Sequence, residues 1–301
     1  MEDVYHIPAL LRETIRSLSV KPEGTYVDVT FGGGGHSRAI LEAGAGRLLS
    51  FDQDIDAYQN KIDDPRWTFV HANFRYLAQW LDYYHVPGID GLLADLGVSF
   101  HHFDTASRGF SFRMDGPLDM RMNPQAPLTA RQIVNEYDEA ELARIFYLYG
   151  EFRDSRSLAH QVVSARKREA INTTNQLVNA VRLQDKHDQA RLFQALRIEV
   201  NDEMGALRDM LNQATALLNT GGRLVILTYH SLEDRMVKNL MKTGNIDGTV
   251  QKDFYGNNLA PFKVIEKGRT AEKDEVEANP RARSAKLRAA EKIDNSIKIL
   301  K

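Results

Sequence analysis

Cysteine is absent from all 301 residues. That excludes thiolate catalysis, cysteine-ligated zinc, iron–sulfur clusters and a disulfide framework. No apolar run approaches the ~20 residues that span a bilayer, and residues 1–10 lack the basic-then-apolar pattern of a secretory signal. The expectation is a cytoplasmic protein with no membrane association. Internal repeats and low-complexity tracts are missing too. A strong charge of one sign is also lacking, with 39 basic against 41 acidic side chains. What is present is length and apolar content. At 43% hydrophobic residues, the chain suggests about two domains of roughly 150 residues each, ample for a core without metal or disulfide support.

The balanced net charge hides an asymmetry. Residues 1–104 carry 8 basic and 15 acidic groups, a net −7, whereas residues 105–301 carry 31 and 26, a net +5. From Arg281 onward, seven basic groups stand against Glu291 and Asp294. A solvated surface is the common explanation for such a run, and contact with a polyanion the sharper one.

Along the first hundred residues, β-rich runs at 25–29, 47–51, 67–71 and 89–95 alternate with helical spacing at 37–43, 55–62 and 76–84. This rhythm predicts parallel strands with right-handed crossovers, an α/β doubly wound sheet. Residues 222–228 read as a further strand, followed by helical spacing at 232–241, and 262–266 as an edge strand. Between 105 and 202 the rhythm breaks. A long loop at 108–127 is followed by helical patterns at 130–135, 139–149, 155–168, 174–181 and from 189 onward, which predict an all-helical insertion. Residues 267–279 read as a surface loop leading into a basic tail.

The sharpest local feature is Asp28-Val-Thr-Phe-Gly-Gly-Gly-Gly-His36 directly after the first strand. One or two glycines make a tight turn; four let backbone approach a ligand, at a helix N-terminus whose amides face it. A P-loop needs Lys and Ser/Thr after the last glycine, yet His36, Ser37 and Arg38 follow. A dinucleotide fingerprint needs a third glycine where Ser37 or Arg38 stands. S-adenosylmethionine has no phosphate, and its loops pair an acidic residue on the first strand with a glycine-rich turn, as Asp28 and Gly32 to Gly35 do. Asp52, ending the second strand, suits ribose hydroxyls, with Asp54 and Asp56 as competitors. Phe74 follows the third strand, where it can pack on adenine or serve as an ordinary core aromatic.

Asp95-Leu-Gly-Val-Ser ends the fourth strand, where a reacting group would lie. Methyl transfer to an exocyclic amine is mostly positioning, helped by a polar acceptor for the amine N–H; Asp95 supplies one, or else orients the cofactor. After the last strand comes Thr228-Tyr-His-Ser-Leu-Glu-Asp-Arg235. Ser231 with Asp234 is nearly a capping box, which leaves His230 unassigned beside the substrate edge. His230 and Glu233 lack a companion cluster of ligands in the sequence, so no metal site is expected.

These blocks together resemble the bacterial ribosomal RNA small-subunit methyltransferase H family. The likeness extends through His6-Ile-Pro-Ala-Leu-Leu-Arg-Glu, Arg108-Gly-Phe-Ser-Phe-Arg-Met-Asp-Gly-Pro-Leu-Asp-Met-Arg-Met122, Phe193-Gln-Ala-Leu-Arg-Ile-Glu-Val-Asn-Asp-Glu203 and Asn279-Pro-Arg-Ala-Arg-Ser-Ala-Lys-Leu-Arg288, in family order. The resemblance implies a class I S-adenosylmethionine-dependent methyltransferase domain (1–104 with 206–301), interrupted by a helical substrate-recognition domain (105–205). It implies N4-methylation of a cytidine in the decoding region of 16S rRNA, in the small ribosomal subunit, and leaves a homodimer open. Cofactor contacts carried over by position are Gly34, Gly35, His36, Asp52, Phe74 and Asp95. His102 stands where the family has Gln, and imidazole can still make one hydrogen bond. Asp95 and His230 are the catalytic candidates. The rival expectations are an amino-methyltransferase for another nucleic acid and a non-catalytic rRNA-binding assembly factor.

Overall fold

A computed structural model of the chain describes residues 8–98, 103 and 105–294. The chain forms two compact units, one made of residues up to Gly97 and from Gly205 onward, the other of Val98–Met204.

The first unit is built on a seven-stranded sheet ordered β3-β2-β1-β4-β5-β7-β6. Its strands are β1 (Thr25–Asp28), β2 (Arg47–Asp52), β3 (Trp67–His71), β4 (Ile89–Asp95), β5 (Leu218–Thr228), β6 (Phe262–Thr270) and β7 (Lys286–Lys292). The first five are mutually parallel; β7 runs antiparallel to both β5 and β6. Parallel strands covered on both faces need near-continuous apolar runs. Leu48, Leu49 and Phe51 of β2, Leu92, Leu93 and Ala94 of β4, and Leu224 to Leu227 of β5 are all buried. Helices α1 (Leu11–Leu18), α2 (Gly35–Glu42), α3 (Leu77–Tyr83), α9 (Glu203–Leu217) and α10 (Ser231–Thr243) accompany the sheet. Gln213 of α9 fastens α3, donating to the Arg75 carbonyl at 2.7 Å and accepting from the Ala78 amide at 2.7 Å.

Three expectations need correcting here. Residues 55–62 form not an α-helix but a short 3-10 turn, Ile55–Asn60, capped by the Asp54 side chain. Residues 267–279 are not a loop, because β6 runs on to Thr270 and a helix, α11 (Lys273–Ala278), follows. The described part of the basic tail contains strand β7, which lies between β5 and β6. Its Leu287, Ala289 and Ala290 are buried, and Arg288 is only 9% exposed. The Arg288 guanidinium donates to both Asp234 carboxylate oxygens at 2.7 and 3.0 Å and to the Lys267 carbonyl at 2.8 Å. Arg288 is thus committed to the sheet and unavailable to a polyanion.

The second unit is helical, with α4 (Ala130–Glu136), α5 (Glu139–Leu148), α6 (Ser155–Arg166), α7 (Thr174–Val181) and α8 (Lys186–Asn201). Helices α4, α5 and α7 each open on a capping box, from Thr129/Gln132, Asp138/Glu141 and Thr173/Gln176, satisfying amides that lack helical partners. The helices of this unit share a core that includes Ile133, Leu142, Ile145, Phe146, Leu158, Leu177 and Leu196. The arginine-bearing loop is anchored to this core through buried Phe110, Leu118 and Met120. Asn201 locks it further, donating to the Met120 carbonyl at 2.8 Å and accepting from the Met122 amide at 2.7 Å. Two of its arginines are internally engaged. Arg108 donates to the Arg121 and Met122 carbonyls, and Arg121 grips the Asp119 carboxylate. Arg113 is exposed.

Candidate active site

The parallel strands end along one edge of the sheet, and three of them end on an aspartate: Asp28 on β1, Asp52 on β2 and Asp95 on β4. Asp28 is fully buried and holds the turn that follows it. Its Oδ1 accepts from the Thr30 amide and hydroxyl, and its Oδ2 accepts from Ser37 Oγ at 2.7 Å. Since the single Ser37 proton is spent on Asp28, Ser50 Oγ, 2.7 Å away, is the donor to Ser37, and Trp67 Nε1 donates in turn to Ser50. A buried hydrogen-bond chain therefore joins β1, α2, β2 and β3 beneath the glycine turn.

Gly34 caps α2 with φ 75°, in the left-handed region open to glycine. A Cβ there would lie 2.8 Å from Arg38 Nη1 and 2.9 Å from the Phe31 ring. Gly35 and His36 form the first turn of α2, where amides lack helical partners. Asp52 joins the turn directly: its Oδ2 accepts from the Gly32 amide at 2.8 Å and its Oδ1 from the Asp54 amide at 2.9 Å. Asp54 caps the following 3-10 turn, accepting from the Asp56 amide, while Asp52 is the last residue of β2. Phe74 is half-buried at the start of a 3-10 turn just after β3, and Asn73 ties that turn to Gln53 after β2 at 2.9 Å.

Asp95 is tied in from both sides. Its amide donates to Thr30 Oγ1 at 2.7 Å, and its Oδ1 accepts from the Tyr229 hydroxyl at 2.7 Å. Its Oδ2 accepts no hydrogen bond among the described residues; the nearest ion-pairing atom is His36 Nδ1 at 3.7 Å. Tyr229 is a residue that the sequence reading passed over. The only signal for it was its place beside His230, at the end of the strand next to β4.

His230 lies at the same strand end as the N-cap of α10, in a capping box with Glu233. The reading that gave this box to Ser231 and Asp234 was displaced by one residue, and Asp234 instead meets Arg288. Glu233 Oε2 accepts from the Tyr229 amide at 2.9 Å and the His230 amide at 3.4 Å, while Glu233 Oε1 sits 3.1 Å from His230 Nε2. Gly34, Gly35, His36, Asp52 and Asp95 thus gather on one sheet edge, with Phe74 and His230 at the ends of flanking strands. His102 lies outside the described residues.

The electrostatics follow from the burial. Burial pushes the Asp28 carboxyl up, against hydrogen bonds from Ser37 and Thr30. It pushes Asp52 up to about 6 despite two backbone amides, and Asp95 up to about 6 despite the Tyr229 hydroxyl. It lowers His36, favouring neutral imidazole. Three crowded carboxylates repel a pyrophosphate and welcome a cation. A ligand with a sulfonium, an ammonium and ribose hydroxyls fits this donor set; a phosphate-bearing dinucleotide does not.

Residues 3–293 match the model of the MraW methylase family. The chain belongs to that family. It is 55% identical over 299 residues to the ribosomal RNA small subunit methyltransferase H of Bacteroides fragilis, covering 97% of this chain and 98% of that one. The protein of the same name from Bacteroides thetaiotaomicron gives the same identity and coverage. A solved rRNA methylase from Streptococcus thermophilus aligns over 96% of this chain and 99% of that one, with TM-score 0.44 and 11% identity. The methylase has the class I fold, and S-adenosylmethionine is its methyl donor. No helix among its described residues is long and apolar enough to cross a membrane.

Proposed function

We propose that this methylase transfers a methyl group to N4 of a cytidine in the decoding region of 16S rRNA, acting on the small ribosomal subunit in the cytoplasm. The observation that carries the reading is Asp95: a strand-end carboxylate with one oxygen held by Tyr229 and the other, among the described residues, accepting no hydrogen bond. S-adenosylmethionine, when bound, supplies an electrophilic methyl on a sulfonium. Gly34, Gly35 and the first turn of α2 receive it, Asp52 takes its ribose hydroxyls, Phe74 packs near its adenine, and the carboxylates complement its positive charge. His36 lines the same turn as a neutral ring.

The cytosine must leave its stack to reach this edge, because N4 is not open to in-line attack inside a helix. Asp95 Oδ2 then accepts an N4–H bond and turns the nitrogen lone pair toward the methyl. As the N–C bond forms and the C–S bond breaks, the amine proton becomes strongly acidic and passes to Asp95 or to water. A carboxylate titrating near 6 is poised for that transfer. His230 is engaged with Glu233 and acts here by holding the turn that presents Tyr229. The helical unit, Val98–Met204, supplies the RNA-recognition surface in this reading, with exposed Arg113 on its anchored loop as one contact.

The test uses small subunits from a strain lacking the activity, incubated with the purified protein and labelled cofactor, followed by nucleoside analysis. Label in N4-methylcytidine is expected. An unmodified cytidine N4 overturns the reading. Asp95→Asn, which keeps the shape and removes the charge, should bind cofactor and RNA yet methylate far more slowly; a wild-type rate would remove Asp95 from catalysis.

A further inference from the structure

Between α10 and β6 the chain makes a small hairpin that neither the sheet nor the candidate active site requires. Lys252 and Asn258 pair as an antiparallel bridge. The Asp253 amide donates to the Asn257 carbonyl at 2.9 Å, and the Gly256 amide closes the turn on the Asp253 carbonyl at 3.0 Å. Gly256 has φ 85°, the left-handed residue that follows a type I turn in three-residue hairpin loops. The Asp253 side chain braces the loop, accepting from the Tyr255 and Asn257 amides at 2.9 and 2.8 Å and from Asn257 Nδ2 at 2.8 Å.

Two aromatic rings stand in water at the tip of this braced loop. Phe254 is 97% exposed and Tyr255 71%, and the rings meet edge to face with centroids 5.7 Å apart. The central positions of a type I turn accept most residues, so the turn does not demand aromatics there, and neither ring contributes to a core. Single exposed apolar residues are ordinary; a braced adjacent pair at a turn apex is not. Exposed Lys242 and Lys252 flank the hairpin, with Asn258 donating to the Lys242 carbonyl.

We propose that this hairpin tip is a second RNA contact, in which Phe254 and Tyr255 stack on an unpaired nucleobase of the substrate RNA. The proposal rests on the RNA reading above. A convex tip of two rings cannot by itself bury the ~800 Å² per partner of a stable protein interface, whereas one unpaired base needs only one ring face and a nearby cation. Helix α10 follows its N-cap His230 and runs 13 residues, roughly 20 Å, before the chain reaches the hairpin. The contact therefore adds affinity without touching the reacting atoms.

The test compares the full-length wild type with F254A/Y255A. Affinity for a short oligouridylate should fall roughly 5- to 150-fold, while affinity for an RNA duplex of the same length, cofactor affinity and Tm stay unchanged. On small subunits KM should rise with kcat retained, and F254W/Y255W should restore binding. Unchanged oligouridylate binding by the alanine variant, or an equal loss for the duplex, overturns the proposal. So does a variant that loses only self-association in sedimentation, which would make the tip a contact between copies. If the wild type binds oligouridylate through these rings but leaves cytidine N4 unmethylated, the functional reading fails and this contact stands.

Discussion

Tyr229→Phe isolates the 2.7 Å hydrogen bond to Asp95 while leaving the ring in place. Burial drives the Asp95 carboxyl up to about 6, and the Tyr229 hydroxyl is the largest influence holding it down. A hydrogen bond to a charged group contributes about 1.5–3 kcal/mol, and one pKa unit corresponds to about 1.4 kcal/mol. Removing the hydroxyl should therefore raise Asp95 by roughly one to two units. The carboxylate is the active form, so activity is lost as pH falls through its pKa. The acid limb of the kcat profile should move from about 6 to roughly 7–8. Near neutral pH the variant should lose about two- to tenfold in kcat and regain the wild-type rate at alkaline pH. Single-turnover methylation across a pH series, with cofactor affinity measured alongside, reads this directly. An acid limb that stays put refutes the claim that Tyr229 tunes Asp95, and a loss that is uniform at every pH would assign Tyr229 a packing role only.

Asp52→Ala should weaken cofactor binding by about 1–3 kcal/mol, the cost of leaving ligand hydroxyls unpaired; unchanged affinity in calorimetry would sink the ribose assignment. Asp28, Asp52 and Asp95 all have raised carboxyls, so the folded protein binds their protons more tightly than the unfolded chain does. Their contribution to stability should decline as pH rises from about 4 to about 6, and thermal melts of the ligand-free protein that improve over that window would contradict it. Gly34→Ala should lower Tm, because the left-handed backbone alone costs about 1–2 kcal/mol for alanine and the Cβ would crowd Arg38 and Phe31; an undiminished Tm would mean the turn is free to relax. Ending the chain before Arg281 should abolish a cooperative melt of the sheet rather than merely weaken RNA binding, whereas Arg288→Ala, which takes from Asp234 its guanidinium partner and leaves it the Thr228 hydroxyl, should cost up to about 3–5 kcal/mol. A truncated chain with native thermal unfolding would show β7 to be dispensable.

The parts of the fold legible in the sequence share a physical signature. Strands β3 and β4 match the expected runs at both ends, and β1 to within a residue, because parallel strands must be apolar along their length. Strand β7 hid because Lys-Leu-Arg-Ala-Ala-Glu-Lys has little β-propensity, and its charges look solvated until Asp234 and Arg223 are found to meet Arg288 and Glu291. In the candidate site, the glycine turn, Asp52 and Asp95 carried chemical signals of their own. His230 as a helix cap did not, since histidine is not among the favoured capping residues. Tyr229 was hidden for another reason: its importance lies in a hydrogen bond across two neighbouring strands, and no local pattern records which strands will be neighbours.

The place of β7 in the sheet also dictates an order of events. Strand β5 has β4 on one side and β7 on the other, yet β7 is the last of the seven to be synthesised. Until residues 286–292 arrive, the nascent sheet has an open, strongly apolar edge along Leu218–Thr228, the kind of edge that recruits foreign strands. Closing it takes β7, which pairs with β6 as well as with β5, so that β6 and β7 join the sheet as an antiparallel pair with β7 innermost. A chain cut short of residue 286 should therefore aggregate more readily than the full chain.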